Sequence, residues 1–227
     1  MLQQITANEL HSKLLNAHLE REVGEIVFRL STTEVKINST DTVGNSIQSW
    51  LGQYMTDNDI YHREPKSTQV FPDFFLRADS DMEGMLEVKC FNYNNTPAFD
   101  IANFESYCDS VKDKPYRLDA DYLIFGYTMN DSGDITIQKV WLKKIWQIAG
   151  KDSNYPLKTQ VKRGMIYNIR PEGNFKNGTQ STFRNDADFV RAIYGTLRLY
   201  KNQQFADNWL KTLQQNYQAY FKKSLII

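Results

Sequence analysis

The chain has 227 residues, of which 41% are hydrophobic and 24% are charged, a composition typical of a folded globular protein. No apolar stretch reaches the length of a membrane-spanning helix, and the first residues lack the pattern of a signal peptide. The two cysteines, Cys90 and Cys108, form no CxxC pair, which argues against a disulfide framework or a zinc site. These features predict a cytoplasmic protein without membrane association.

The formal net charge is zero, but the charges are unevenly distributed. Residues 151–227 contain 13 lysines and arginines against 5 aspartates and glutamates, whereas residues 1–150 contain 14 against 22. A basic C-terminal third is typical of a surface that faces phosphates. A solvated basic face without a partner explains the asymmetry equally well, so charge alone does not identify a nucleic-acid-binding protein.

The N-terminal part of the chain shows helical and extended patterns in turn. Thr6 and Glu9 have the spacing of a capping box, which predicts the start of a helix. Gly84, in the polar turn at 77–84, suits a positive φ between two strands. In chain order, the predicted elements are a helix at 6–22, an extended segment at 24–37, a helix at 39–55 and two strands within 68–91.

The rest of the chain alternates in the same way. The predicted elements are a helix at 100–111, a buried strand at 120–129, an extended segment that turns helical at 134–149, a strand at 164–171, a polar loop at 172–185, and helices at 186–200 and 202–223. This order predicts an α/β fold with a mixed central β-sheet flanked by helices. The length predicts a single domain over 1–227.

The most informative pattern is FPDFFL followed by MLEVKCF. Alternate side chains of a strand share a face, so Glu87 and Lys89 point the same way while Leu86 and Val88 point into the core. A carboxylate and a lysine on an apolar strand are costly unless they pair or face a cleft. Asp73 lies in the preceding strand, and we expect the hairpin to bring it within reach of the same face.

These three side chains suit the hydrolysis of phosphodiester bonds. The carboxylates of Asp73 and Glu87 are hard ligands of the kind that Mg²⁺ prefers, and they would leave waters on the ion. The ion would activate a water and stabilise charge on the phosphate, while Lys89 would position that water. Two plainer interpretations stay open: Glu87 and Lys89 form a surface salt bridge, and the acidic loop 77–84 is a solvated turn.

Asp73, Glu87 and Lys89 match the motif of the PD-(D/E)xK nuclease superfamily, and the chain therefore resembles that superfamily, which includes many type II restriction endonucleases. The resemblance implies one endonuclease domain with a restriction-endonuclease-like fold. The helix VGNSIQSWLGQYM is similar to the superfamily's helix before the first motif strand, where many members carry a glutamate. The matching residue here is Gln48, and this departure leaves open whether the helix contributes to metal binding. The implied segments are an N-terminal helix and extended segment at 1–40, a catalytic core at 41–200 and a C-terminal helix at 201–227.

The segments MLEVKCFNYNNTPAFDIANFESY and RLDADYLIFGY are also similar to the NgoBV/NlaIV-type restriction endonucleases, which are associated with the palindrome GGNNCC. This resemblance implies a homodimer, because a palindrome is read by two-fold symmetry. It also implies double-stranded DNA as the substrate, a bacterial cytoplasmic setting, and a cognate methyltransferase that acts on the same site without being a bound partner.

Two polar segments are candidates for contacts with DNA. The loop 172–185 carries side chains that suit guanine or adenine edges in the major groove. Its candidate residues are Lys176, Asn177, Gln180, Ser181 and Arg184. After the catalytic strand, the candidates for contacts with the DNA backbone are Asn92, Asn94 and Asn95. As alternatives, the loop is a flexible surface loop and the asparagines are turn formers before Pro97.

Three functions are compatible with these patterns. A type II restriction endonuclease is favoured by the resemblance. A repair or junction-resolving nuclease of the same fold has the same charge pattern and the same motif. The third function is a DNA-binding module without catalysis, in which Gln48 would indicate decay of the metal site. Retention of all three motif residues argues against this third function.

Overall fold

The computed structural model describes residues 2–67 and 70–227. Thr68 and Gln69, which begin the predicted strand pair, lie outside the described residues. The chain divides into two compact units. The first comprises Met1–Thr96 and Asp121–Lys143, and the second comprises Pro97–Ala120 and Lys144–Ile227. Each unit contains helices and strands, as predicted for an α/β protein, and the organisation as one domain over 1–227 stays a prediction.

The first unit contains a mixed sheet and two main helices. Numbered in chain order, its elements are α1 (Ala7–Asn16), β1 (Ile26–Leu30), β2 (Thr33–Ile37), α2 (Val43–Asp57), β3 (Phe74–Phe75), β4 (Met85–Asn92), β6 (Asp121–Met129) and β7 (Ile135–Lys144). The central sheet has the order β3-β4-β6-β7. Strand β3 is antiparallel to β4, and β4 is parallel to β6, so the sheet is mixed, as predicted.

Strand β6 lies inside this sheet because its sequence is a continuous apolar run. Leu123, Ile124 and Phe125 are fully buried, as expected for a strand covered on both faces. Helix α2 packs its apolar stripe into the same core through Val43, Leu51 and other buried residues. The core therefore holds β4 firmly on the side opposite to Glu87 and Lys89.

Helix α1 begins as predicted but ends earlier. The Thr6 side chain accepts a hydrogen bond from the Glu9 amide at 3.2 Å, and the Glu9 carboxylate accepts one from the Thr6 amide at 2.7 Å, which confirms the capping box. The predicted end at residue 22 is wrong. The helix ends at Asn16. His18 then adopts a left-handed conformation, which a right-handed helix cannot contain, and Leu19–Arg21 forms a separate 3-10 turn.

The segment 24–37 is extended, as predicted, but it folds back on itself. Strands β1 and β2 pair antiparallel from Ile26 opposite Ile37 to Leu30 opposite Thr33. The turn contains Ser31 with a φ of 53°. The sequence did not reveal this hairpin because the turn lacks the glycine, asparagine or proline that usually marks one.

The second unit contains a small antiparallel sheet and three long helices. Its elements are β5 (Ala102–Asn103), α3 (Phe104–Asp113), α4 (Ile145–Ile148), β8 (Thr159–Lys162), β9 (Met165–Ile169), α5 (Asn174–Asn177), α6 (Asp186–Tyr200) and α7 (Gln203–Phe221). The sheet order is β5-β9-β8. Asn185 and Asn202 cap α6 and α7 with side-chain hydrogen bonds of 2.9 and 2.8 Å. Both helices agree with the predicted segments.

Three predictions for this unit are corrected. Helix α3 begins at Phe104 rather than at residue 100, because Asn103 is its N-cap and the preceding residues pair with β9. Asp100 instead forms an ion pair with Arg170. Strand β8 was not predicted because TQVK is short and polar, and the predicted loop 172–185 contains the short helix α5. Within the described ranges, no helix is both long enough and apolar enough to span a membrane.

Candidate active site

The strand pair β3–β4 places the motif residues. Phe74 lies opposite Leu86 and Phe75 lies opposite Met85. Leu86 and Val88 belong to the hydrophobic core, as predicted from the alternation of side chains along a strand. Glu87 and Lys89 consequently project from the opposite face of β4. Gly84 has a φ of 67° in the turn before β4, which confirms its predicted role there.

Asp73 precedes β3 and is bound directly to β4. Its Oδ2 accepts a hydrogen bond of 2.7 Å from the backbone amide of Val88, the residue between Glu87 and Lys89. The backbone amide of Asp73 in turn hydrogen-bonds to Glu87. The structure thus brings together the three residues of the predicted site.

Glu87 and Lys89 form an ion pair, with 2.9 Å between Oε1 and Nζ. The salt bridge of the plainer interpretation is therefore present, but its side chains are only 11% and 20% exposed, so it does not lie at the surface. Burial raises the pKa of Glu87, and the neighbouring Asp73 raises it as well, while Lys89 lowers it. Because burial and a like charge oppose the ionisation of Glu87, a cation in addition to Lys89 would stabilise its ionised form.

The pKa of Asp73 is also raised, mainly by burial. Hydrogen bonds from the Val88 amide and from the Gln48 side chain lower it, as does the charge of Lys89. Helix α2 therefore contributes Gln48 directly to the site, although that residue is an amide and not the glutamate of the superfamily pattern. Gln48 stabilises the ionised form of Asp73 because the amide donates to the carboxylate.

Glu64 is a further acidic residue near the site that the sequence did not indicate. Its charge raises the pKa of Asp73. Its Oε1 lies 3.9 Å from the position that a Cβ on Gly52 would occupy, one helical turn from Gln48 on α2. Glu64 belongs to no strand or helix, so no periodic pattern could have marked it.

The residues of the site fit a hard divalent cation through their chemistry. Two carboxylates with raised pKa values lie beside each other, and a cation between them would favour the ionised form of both. Within the described residues, no group of three histidine, cysteine, aspartate or glutamate side chains has the geometry to hold a metal ion. Water and phosphate oxygens would therefore complete the coordination shell, as is usual for Mg²⁺.

The acidic loop 77–84 does not supply further ligands to this site. Asp79 is paired with Arg77 at 3.2 Å, and Asp81 is paired with Arg63. These acidic residues form the polar turn that the plainer interpretation expected.

The predicted DNA contacts after β4 lie in a turn. The Asn92 side chain accepts a hydrogen bond of 3.0 Å from the Asn94 amide, and its carbonyl accepts one of 2.9 Å from the Asn95 amide. Asn94 and Asn95 are exposed. The turn-forming role is thus present for Asn92, and a DNA contact by these three asparagines stays a prediction.

The predicted contacts in the loop 172–185 all belong to the second unit. Lys176 and Asn177 lie in the short helix α5. Gln180, Ser181 and Arg184 line a cleft of about 830 Å³ beside α6. Arg184 is paired with Asp188, with Nε 2.9 Å from Oδ2, so the loop does not present it as an unrestrained side chain.

This mixed sheet with flanking helices, and the Asp73, Glu87 and Lys89 cluster on one strand pair, define a nuclease of the restriction-endonuclease-like fold. The structure resembles that of the NlaIV restriction endonuclease with a TM-score of 0.92 and 36% sequence identity, covering 100% of this chain and 94% of that one. The model of the NgoBV restriction endonuclease family matches residues 4–227, and the chain belongs to that family.

Two curated relatives agree with this assignment. The chain is 38% identical to the type II restriction enzyme NlaIV of Neisseria lactamica over 232 residues, covering 99% of this chain and 94% of the relative. It is 35% identical to the type II restriction enzyme NgoBV of Neisseria gonorrhoeae over 161 residues, covering 70% of this chain and 91% of the relative. The predicted restriction endonuclease function is thus confirmed, and these comparisons give no support to a repair nuclease or an inactive DNA-binding module.

Proposed function

We propose that the enzyme is a Mg²⁺-dependent homodimer that hydrolyses double-stranded DNA at the palindrome GGNNCC, with Asp73, Glu87 and Lys89 as its active-site residues. The observation that carries this proposal is the cluster on β4, where Asp73 is bound to the Val88 amide between Glu87 and Lys89. The recognition sequence and the dimer rest on the similarity to the NgoBV and NlaIV enzymes. In the bacterial cytoplasm, a cognate methyltransferase would protect the same site.

Each side chain has a distinct part in the reaction. The carboxylates of Asp73 and Glu87 would hold the cation, and the Val88 amide fixes the orientation of Asp73. When bound there, Mg²⁺ would supply an activated water and would stabilise the charge that develops on the scissile phosphate. Lys89 leaves its ion pair with Glu87 to donate to the attacking water or to a phosphate oxygen. The low exposure of the pair strengthens these interactions, because little bulk water competes.

The first test is cleavage of mixed-sequence plasmid DNA by the wild type and by Lys89→Ala, with Mg²⁺ and with EDTA. The matched control is Lys139→Ala, which removes an exposed lysine from β7 of the same sheet. We expect discrete fragments from the wild type and the control only with Mg²⁺, and at least a ~10²-fold slower reaction from Lys89→Ala. Equal rates for Lys89→Ala and the control would overturn the assignment of the site.

The ends of the fragments test the recognition sequence. Cuts within GGNNCC support the proposal, and cuts at any other site overturn that part of it. Titration of the protein with Mg²⁺ by calorimetry separates metal binding from cleavage, since Asp73→Asn should bind the ion more weakly while Lys139→Ala should bind it as the wild type does. Light scattering during size-exclusion chromatography tests the dimer, and a mass of one chain with DNA present would contradict it.

A further inference from the structure

The second unit carries a cleft of about 830 Å³ with four cationic side chains along its walls. Arg191 and Arg198 come from α6, Arg184 comes from the loop before α6, and Lys151 comes from the segment after α4. We call this set the basic cleft. Only Arg184 belongs to the contacts predicted from the sequence, so the other three cations have no role in the site described above.

We propose that the basic cleft binds several phosphates along one strand of the duplex DNA that the enzyme cleaves. The proposal rests on the proposed function for the identity of its ligand. It assigns Lys151, Arg191 and Arg198 as phosphate contacts, and it assigns Arg184 to the phosphate backbone and not to a guanine edge.

The charges of the basic cleft favour a polyanion. Two carboxylates, Asp152 and Asp188, line it together with the four cations, which leaves an excess of positive charge. The Asp152 carboxylate is occupied by the Asn154 amide at 3.0 Å and the Ser153 hydroxyl at 3.3 Å. The Asp152 side chain thus hydrogen-bonds within its own turn, and the excess positive charge lies on the side of α6.

Asp188 organises two of the arginines. Its Oδ2 lies 2.9 Å from Nε of Arg184, and its Oδ1 lies 2.8 Å from Nη1 of Arg191. The carboxylate is only 15% exposed, whereas the two arginines are 73% and 56% exposed. Each guanidinium has five N–H donors, so both arginines keep donors that face solvent. Their position is restrained before any ligand binds, which lowers the entropic cost of binding.

The spacing of the cations matches a row of phosphates. Arg191 and Arg198 are seven residues apart on α6, which places them about 10 Å apart along the helix axis. Successive phosphates of one DNA strand advance about 3.4 Å along the duplex axis, so this interval covers about three nucleotide steps. Arg198 thus lies apart from Arg184 and Arg191, which share Asp188, and cations spread along a helix in this way suit a backbone better than a single base edge.

The neutral residues of the cleft are compatible with the same ligand. Ser181 and Gln180 line it beside the arginines, and hydroxyl and amide donors commonly contact phosphates. Lys151 lies with its Nζ 5.8 Å from the centre of the Phe183 ring, which restrains the lysine at the wall of the cleft. No described residue forms an ion pair with Arg198, and its side chain is exposed.

The test measures how salt affects DNA binding. A fluorescent duplex that contains the mapped cleavage site and a duplex without it are titrated by anisotropy across a range of NaCl, with EDTA to prevent cleavage. The proteins are the wild type, Arg191→Ala with Arg198→Ala, and a control with Lys13→Ala and Lys211→Ala. The control removes two exposed lysines from helices α1 and α7 outside the cleft.

We expect the double arginine variant to lower the slope of log K against log [NaCl] by about 1.8, since each phosphate contact contributes about 0.9. Affinity should fall by the same factor for both duplexes, and the control should keep the wild-type slope. An unchanged slope, or a loss of affinity confined to the duplex with the site, would overturn the proposal.

Two further readouts keep the result interpretable. The variants change exposed side chains, and equal melting temperatures would show that they fold. If the double variant does not fold, Arg198→Gln alone replaces it, with an expected slope change of about 0.9. If the wild type cleaves no DNA but the slope still falls, the proposed function fails while the basic cleft stands. If the wild type cleaves specifically and the slope is unchanged, the basic cleft fails while the function stands.

Discussion

The backbone amide of Val88 donates a 2.7 Å hydrogen bond to Oδ2 of Asp73. This bond joins the residue before β3 to the middle of the neighbouring strand, between Glu87 and Lys89. The bond fixes the Asp73 carboxylate against the backbone of β4, so its position does not depend on the side-chain conformations of Glu87 and Lys89. It also leaves Asp73 half-buried, where the ionised form is costly.

The first prediction concerns Asp73→Asn. Burial raises the pKa of Asp73 in the folded protein, so the carboxyl contributes stability below its unfolded pKa and loses that contribution as pH rises through the folded pKa. An asparagine keeps an acceptor for the Val88 amide but carries no charge. We therefore expect Asp73→Asn to be more stable than the metal-free wild type at neutral pH while cleaving no DNA. Thermal unfolding from pH 3 to pH 8 tests this, and the gain should shrink toward acid pH.

Glu64→Gln is expected to lower the pKa of Asp73 in the metal-free protein, because the Glu64 charge raises it. Gln48→Leu provides the opposed comparison, since loss of the hydrogen bond from Gln48 should raise that pKa. Carbon-13 NMR titration of the Asp73 carboxyl measures both shifts. Shifts of the same sign in the two variants would contradict the arrangement of these residues around Asp73.

The sequence predicted that Asp73, Glu87 and Lys89 lie close together because the signal is local. They lie on, or directly before, adjacent strands joined by a short turn, so alternation along a strand and the position of Gly84 suffice to place them together. The parallel pairing of β4 with β6 joins segments separated by a helix. The sequence predicted a mixed sheet but not which strands pair. The predicted helix cap at Thr6 likewise depends on adjacent residues.

The elements that the sequence did not predict depend on distant partners. Asn103 pairs with Asn168 of β9, and this contact delays the start of α3 in a way that no local pattern shows. Glu64 reaches the site from an irregular segment. Such side-chain contacts are set by tertiary packing, so periodicity and composition carry no trace of them.

Thr196→Val should reduce the free energy of unfolding by about 1–3 kcal/mol. The fully buried Thr196 hydroxyl accepts a hydrogen bond of 3.1 Å from the Leu157 amide and donates one of 2.8 Å to the Ala192 carbonyl. Valine has nearly the same shape but leaves the Leu157 amide without a partner. Urea denaturation measures the loss, and Thr212→Val is the control because Thr212 is partly exposed and its hydroxyl bonds to the carbonyl of Asn208 in its own helix.

Gly126→Ala is expected to destabilise the first unit by about 1–3 kcal/mol. A Cβ at Gly126 would lie 2.9 Å from ring atoms of both Tyr93 and Trp141, so these two stacked rings would have to shift. Gly44→Ala is the contrasting variant, since no atom lies within 4 Å of its Cβ position in α2. It should stabilise the protein by up to about 1 kcal/mol. Equal effects of the two variants in urea denaturation would refute this account.

The proposed active-site residues lie within the first unit, while the basic cleft lies wholly within the second. On these assignments, natural variation can act on the two separately. Substitutions around α6 would then change how strongly a related enzyme binds DNA while Asp73, Glu87 and Lys89 stay the same. Such a division allows lineages to diverge in their DNA contacts at little risk to the chemistry, and laboratory evolution directed at residues 172–198 would exploit the same freedom.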